Sequence, residues 1–277
     1  MERIKQAVEL ARANRKRLGE AVPDEPISRR QVPGTRARPE QYVGPTGARA
    51  VRLDENYLRS MRIVTQEEGN PDARGFEMLR SQLYRKMGEG KHQTIGITSP
   101  TAGCGKTVCA LNLALSIARL PERSITLVDL DLRKPQVASY LGLPPGKGME
   151  AVLRGEAGLD EISVVPEIGA WRFRVLPTYA ASRNAAELIA STRMSEVVRQ
   201  LRADDPEGII LFDLPPVLAV DDVISFLPHL DAILLVVASG ESTVSDIANS
   251  ERLIGSAQMM GIVLNKAEQT GDGSYSY

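Results

Sequence analysis

The most constraining stretch of this chain is Gly96-Ile-Thr-Ser-Pro-Thr-Ala-Gly-Cys-Gly-Lys-Thr107. An apolar run, Thr94–Thr98, leads into it, and an Ala/Leu-rich helical pattern from Val108 to Leu120 leads out. Small residues at Ala102, Gly103 and Gly105 let backbone N–H groups come close to phosphate oxygens, and the following helix adds the positive end of its dipole. Lys106 has the reach for terminal phosphates, and the Thr107 hydroxyl suits Mg²⁺. A chance Gly-Lys-Thr in a tight turn would not explain the strand before, the helix after and the pair of glycines. The strict form of such a loop has Gly where Pro100 stands, so this is a variant of it.

The rest of the chain fits an α/β sheet built around that loop. The 277 residues suit one such domain with appendages, and 43% hydrophobic residues suffice for its core. Apolar runs at 124–130, 173–177, 208–212, 232–237 and 261–264 alternate with helical patterns, among them a long one at 184–202. This alternation predicts a doubly wound, mostly parallel sheet whose ligands sit at the carboxyl ends of the strands. Residues 54–62 and 72–86 read as helices, the second with an apolar stripe at Phe76, Leu79, Leu83 and Met87.

Ahead of this domain the character of the chain changes. Residues 1–19 read as an amphipathic helix, for which a docking role and a plain solvated face fit equally. Residues 20–53 read as a disordered linker punctuated by Pro23, Pro26, Pro33, Pro39 and Pro45. The first 50 residues hold 11 Lys/Arg against 6 Asp/Glu, although the whole chain has a formal net charge of −1. That balance gives no sign of nucleic acid as a partner. No apolar run approaches the ~20 residues of a membrane span, and no secretory signal core follows the start. The expected location is cytoplasmic, with recruitment to the inner face of the membrane left to a partner. The two cysteines, Cys104 and Cys109, are too few for a disulfide framework.

Three carboxylates stand at predicted strand ends. Asp129 and Asp131 close Ile125-Thr-Leu-Val-Asp-Leu-Asp131, and Asp213 closes Ile209-Ile-Leu-Phe-Asp213. Residues two apart on a strand share a face, so Asp129 and Asp131 are expected to point together toward a nucleotide's Mg²⁺ or an incoming hydroxyl. One would orient waters and the other accept a proton. Each alone would suit a helix cap or a turn; together with the loop they read as one site.

These residues resemble the bacterial tyrosine kinases (BY-kinases) of capsule and exopolysaccharide assembly, within the MinD/ParA-like class of P-loop ATPases. The resemblance covers about residues 54–277. Residues 99–107 are similar to the Walker A motif, Leu127-Val-Asp-Leu-Asp-Leu-Arg-Lys-Pro135 to the Walker A′ motif, Phe212–Leu218 to Walker B, and Ile262-Val-Leu-Asn-Lys266 to the late strand whose Asn contacts adenine. The resemblance implies ATP and Mg²⁺ as cofactors. It places Ala102, Gly103, Cys104, Gly105, Lys106, Thr107, Val108 and Asn265 around the nucleotide, and Thr107, Asp131 and Asp213 around the metal. Catalysis falls to Lys106, Asp129 as the base toward a tyrosine hydroxyl, and Asp131. Partitioning-type ATPases of this class carry an extra Lys where Thr101 stands here, which favours the kinase branch.

The implied function is an ATP-dependent protein-tyrosine autokinase regulating exopolysaccharide polymerisation and export. Its implied phosphoacceptors are Tyr275 and Tyr277, in a mobile tail at 268–277. Its implied partners are further copies of itself in a ring and a membrane-bound chain-length or activator protein. The kinase domain would be 54–267. Where the family's helix usually reads Glu-x-Phe-Arg-x-x-Arg, this chain has Arg74-Gly-Phe-Glu-Met-Leu-Arg80, and its tyrosine tail is sparse. The alternative is a MinD/ParA-like ATPase switch that controls assembly without phosphorylating protein.

Overall fold

The computed structural model describes residues 48–64, 70–88, 92–120, 124–168, 171–255 and 258–267. The expected helix at 1–19, most of the expected linker, and the tail with Tyr275 and Tyr277 lie outside the described residues. The chain begins with β1 (Arg49–Arg52), α1 (Glu55–Ser60), α2 (Pro71–Gly88), β2 (Thr94–Thr98), α3 (Lys106–Ala118) and β3 (Ile125–Asp129). There follow α4 (Val137–Leu141), α5 (Met149–Leu153), α6 (Leu159–Ile162), β4 (Val164–Ile168), β5 (Trp171–Arg172) and β6 (Arg174–Leu176). The last part holds α7 (Ala185–Ile189), α8 (Thr192–Asp204), β7 (Ile209–Asp213), α9 (Asp222–Phe226), β8 (Ala232–Ala238), α10 (Val244–Ile254) and β9 (Met259–Asn265).

One sheet holds the strands in the order β1-β4-β6-β3-β7-β2-β8-β9, with β5 paired to β4. From β6 to β9 every pairing is parallel. β4 meets β6 and β5 antiparallel and carries β1 beside it in parallel. The alternation of the strands decides which core each residue joins. Leu127, Leu211, Leu234 and Val236 pack on the α3 face; Val128, Phe212, Leu235 and Val237 pack on the other, with Val197, Leu201 and Phe226. Two cores, one per face, make the sheet doubly wound, as the sequence predicts. Gly96, in central β2, is required by this packing: a Cβ there would come within 2.8 Å of Leu214 and 2.7 Å of Leu230.

Three expectations shift. β1 lies inside the stretch read as linker, because Arg49–Arg52 pair with 164–167 of a strand that was itself not foreseen. That strand contains Pro166, which weakens a strand pattern in sequence and is tolerated here beside the short edge strand β1. The helix expected at 184–202 is two helices. Ser191 takes an extended backbone, and its side chain accepts from the Met194 N–H, starting α8 afresh. The stripe on α2 behaves as expected, with Leu83 and Met87 buried and Phe76 and Leu79 packed against the same core. Arg80, in the run expected to serve assembly, turns inward and donates to the Ser116 carbonyl at 2.6 Å, in the last turn of α3. Among the described residues no helix is long and apolar enough to cross a membrane.

Candidate active site

The site forms where β2, β3 and β7 end side by side, with Ile97 opposite Asp213 and Asp213 opposite Asp129. The loop leaving β2 is pinned to the segment leaving β7. Thr98 donates its hydroxyl to the Pro215 carbonyl (2.6 Å), and the N–H groups of Val217 and Leu218 bond the carbonyls of Ser99 and Pro100. Gly103 and Gly105 take left-handed backbones, φ 89° and 88°, which glycine adopts without a Cβ clash. A Cβ on Gly103 would meet open space, so the loop has room in front of it. Ala102 and Gly103 are exposed, Gly105 and Val108 half-buried, and Cys104, Lys106 and Thr107 buried. α3 starts at Gly105 with no side-chain cap. Its first N–H groups lack intrahelical partners and face this space with the helix dipole behind them. Such a cradle fits an anion the size of a phosphate.

Behind the loop sits a buried ionic cluster. Lys106 Nζ lies 2.9 Å from Asp131 Oδ2 and 3.3 Å from Asp213 Oδ1. The Thr107 hydroxyl donates to Asp213 Oδ2 at 2.7 Å. Burial by itself pulls the Lys106 pKa down, but Asp213 and Asp131 more than offset this and hold it at about 12. Burial pushes the Asp213 carboxyl above the usual carboxylate range against the opposing pull of Lys106 and Thr107. Thr107 and Asp213 offer hard oxygen donors side by side. Among the described residues no group of three or more His, Cys, Asp or Glu could hold a metal ion. The Thr107–Asp213 pair fits a small divalent cation that keeps waters and takes further oxygens from a phosphate.

Asp129 departs from expectation. The strand stops at Asp129, and Asp131 lies beyond it, so the two acids do not share a strand face. Asp131 reaches Lys106. Asp129 Oδ1 accepts from the Asp131 N–H at 3.2 Å, and Oδ2 from the N–H groups of Gln136 and Val137 at 3.2 and 3.0 Å. It has no exposed surface. Burial, reinforced by Asp213, raises its pKa well above the usual carboxylate range. Asp129 thus shapes the loop that carries Asp131.

Asn265 ends β9 and donates to the Cys104 carbonyl at 2.8 Å, so it touches the phosphate loop itself. Cys104 Sγ rests 3.6 Å from the hydroxyls of Thr101 and Ser242. Burial would raise its pKa, but those hydrogen bonds lower it below the usual thiol value. Burial pushes Cys109 up to about 12. The structure therefore brings Lys106, Thr107, Asp131 and Asp213 into direct contact, sets Asp129 and Asn265 against their loops, and leaves Tyr275 and Tyr277 outside the described residues.

The sequence reading missed several residues that brace the site. Thr178 donates its hydroxyl to the Asp129 carbonyl at 2.8 Å, and the Ser182 N–H bonds the Leu132 carbonyl at 2.7 Å. Asp222 holds Arg133 through two bonds. None of them stands in a motif; an acid opening a helix soon after the Asp213 strand is the only signal Asp222 offers.

Comparison with known proteins agrees with this geometry. No family model matches the chain. The succinoglycan biosynthesis transport protein ExoP of Rhizobium meliloti is 29% identical over 79% of this chain and 28% of its own length. The tyrosine-protein kinase wzc of Salmonella typhi is 26% identical over 76% of this chain and 29% of its own length. The tyrosine-protein kinase YwqD of Bacillus subtilis is 25% identical over 78% of this chain and 90% of its own length. The chain spans between 27% and 29% of the length of the first curated relatives it matches. Among solved structures, the chimerical protein CapA2B2 is 26% identical with a TM-score of 0.69, covering 79% of this chain and 93% of that one. The septum site-determining protein MinD of Pyrococcus horikoshii, complexed with Mg-ADP, shares the fold at 21% identity and a TM-score of 0.51, over 64% of this chain and 72% of its own. Over about three quarters of its length the chain is thus similar in sequence to proteins named bacterial tyrosine-protein kinases.

Proposed function

We propose that this chain is an ATP-dependent protein-tyrosine kinase that phosphorylates its own tail and regulates exopolysaccharide polymerisation and export. The observation that carries the reading is the convergence of Lys106 and Thr107 with Asp131 and Asp213 behind a glycine-rich helix N-terminus. The chain's relatives bear kinase names, which favours transfer to protein over a MinD/ParA-like switch.

Bound ATP would supply the transferable phosphoryl group, and Mg²⁺ would neutralise charge on its oxygens. Residues 102–108 hold phosphate oxygens through backbone N–H groups, and Lys106 adds a positive charge there. Thr107, Asp131 and Asp213 would provide oxygens for the metal and its waters, and Asn265 would border the adenine. Asp129 accepts the tyrosine proton. The burial that raises its proton affinity suits this task. Its oxygens are bonded to the N–H groups of 131, 136 and 137, so a hydroxyl reaches it only when that loop shifts. Copies of the chain would form a ring in which one copy's tail enters its neighbour's site. A membrane-bound chain-length protein would recruit and activate it from the cytoplasmic side.

Mass spectrometry of the purified chain before and after incubation with Mg-ATP tests this. Phosphotyrosine on Tyr275 or Tyr277 is expected. Its transfer in trans is read by mixing a Lys106→Met chain with a Tyr275→Phe/Tyr277→Phe chain. ATP hydrolysis with no phosphotyrosine on any acceptor would overturn the kinase reading in favour of the switch.

A further inference from the structure

The reaction outlined above makes no use of Arg133, yet the structure holds this partly exposed side chain with two hydrogen bonds to one carboxylate. Its Nε donates to Asp222 Oδ2 at 2.8 Å and its Nη2 to Asp222 Oδ1 at 2.9 Å, a two-pronged charge-assisted pair. The Asp222 side chain is fully buried, whereas that of Arg133 is 41% exposed. The asymmetry matters. Water can serve much of the guanidinium, but the buried carboxylate depends on this fork. The exposed Asp221 lies 4.0 Å from the same guanidinium and adds only a screened attraction.

The position of the pair gives it a consequence. Arg133 stands two residues after Asp131 on the loop that leaves β3. Asp222 opens α9 at the end of the connection that leaves Asp213 and β7. The fork therefore ties the two loops whose carboxylates grip Lys106 from two sides. The other hydrogen bonds given for this loop have backbone N–H donors: Leu130 N–H to the Asp213 carbonyl, Asp131 N–H to Asp129 Oδ1, Lys134 N–H to the Asp131 carbonyl and Oδ1, and Ser182 N–H to the Leu132 carbonyl. They hold its ends and its middle; Arg133 adds a side-chain strut to a different wall.

We propose that Asp222 is a positioning residue for the chemical step: through Arg133 it fixes the 130–134 loop where Asp131 meets Lys106. The proposal rests on the phosphotransfer reading. Nucleotide binding depends chiefly on the 102–108 loop, which Asp222 does not touch, so the effect falls on turnover rather than on affinity.

The test uses the full chain with Asp222→Asn, Arg133→Lys and the double variant. Lysine keeps the charge and loses the fork, which keeps the test alive should Asp222→Asn fold poorly. Steady-state Mg-ATP hydrolysis and phosphotyrosine formation are measured per folded molecule, together with amide exchange across residues 130–137. Misplacement of a reacting group by a fraction of an ångström to 1 Å predicts kcat lower by about 10- to 100-fold. KM for ATP stays within about threefold, and exchange in the loop quickens. Because one strut is removed either way, the double variant falls no more than about threefold below the worse single. Wild-type kcat per folded molecule in both single variants overturns the proposal. So does a raised KM with unchanged kcat, or a double loss equal to the product of the singles. Should the wild-type chain hydrolyse ATP without making phosphotyrosine, the kinase reading fails and hydrolysis alone decides the role of Asp222. With neither activity detectable, unchanged exchange at 130–137 overturns it and faster exchange upholds it.

Discussion

Replacing Lys106 by Met keeps most of the side chain's length and removes the ammonium that Asp131 and Asp213 share at 2.9 and 3.3 Å. Despite burial, those acids raise the Lys106 pKa from 10.5 to about 12, which corresponds to roughly 2 kcal/mol of stabilisation. That contribution is fully present below pH 10.5 and fades as pH climbs through 12. Its loss is only part of the effect, because the variant leaves buried carboxylates without their cation, and breaking a buried pair this way costs about 3–5 kcal/mol. For a domain of this size each kcal/mol moves Tm by about 2–4 °C, so a fall of about 6–20 °C is expected near pH 8. The deficit depends on pH in a definite direction. Lys106 lowers the pKa of both Asp129 and Asp213, so without it both rise further above the unfolded carboxylate value. A carboxyl with a raised folded pKa binds more protons folded than unfolded. Its penalty is full above the folded pKa and disappears as pH falls toward about 4. The variant should therefore show a smaller deficit at about pH 5 than at pH 8. Calorimetric melting of both proteins at the two pH values reads this directly, and titration with Mg-ATP at pH 8 reads the loss of binding. An equal Tm deficit at both pH values would refute the electrostatic argument, and wild-type ATP affinity would refute the role of Lys106 at the phosphates.

Asp129→Asn should lower phosphotyrosine formation by about 10²- to 10⁴-fold while ATP affinity stays near wild type; full kinase activity in this variant would remove Asp129 from the base role. Asp213→Asn should weaken nucleotide binding by about 10- to 100-fold in Mg²⁺ and leave metal-free binding little changed, a difference that calorimetry with and without chelator resolves. Gly105→Ala should lower both stability and ATP affinity. It forces a left-handed alanine, costing about 1–2 kcal/mol, and its Cβ would clash with Asn265 Nδ2, displacing the side chain that holds the Cys104 carbonyl. Unchanged melting and binding would show that neither the backbone conformation nor the Asn265 contact matters.

Much of this protein was legible in one dimension because the governing interactions are local. Strand, glycine-rich loop and helix N-terminus follow one another between Thr94 and Ala118, so the phosphate cradle is encoded in a single stretch of chain. The apolar runs ending in Asp129 and Asp213 announce buried parallel strands, since strands covered on both faces need apolar residues at every position. The tertiary structure decided what depends on neighbours distant in sequence. β1 has four residues and β4 contains a proline; only their pairing makes them strands. The spacing of Asp129 and Asp131 suggested a shared face, but β3 ends at the first of them. The loop then turns Asp131 to Lys106, while backbone N–H groups from 131–137 take up Asp129. Asp222 shows locally only as an acid opening a short helix, which does not point to the site. It gains its part only where the sheet brings the ends of β3 and β7 side by side, because a buried carboxylate is tolerable there once the fork of Arg133 reaches it from 89 residues away.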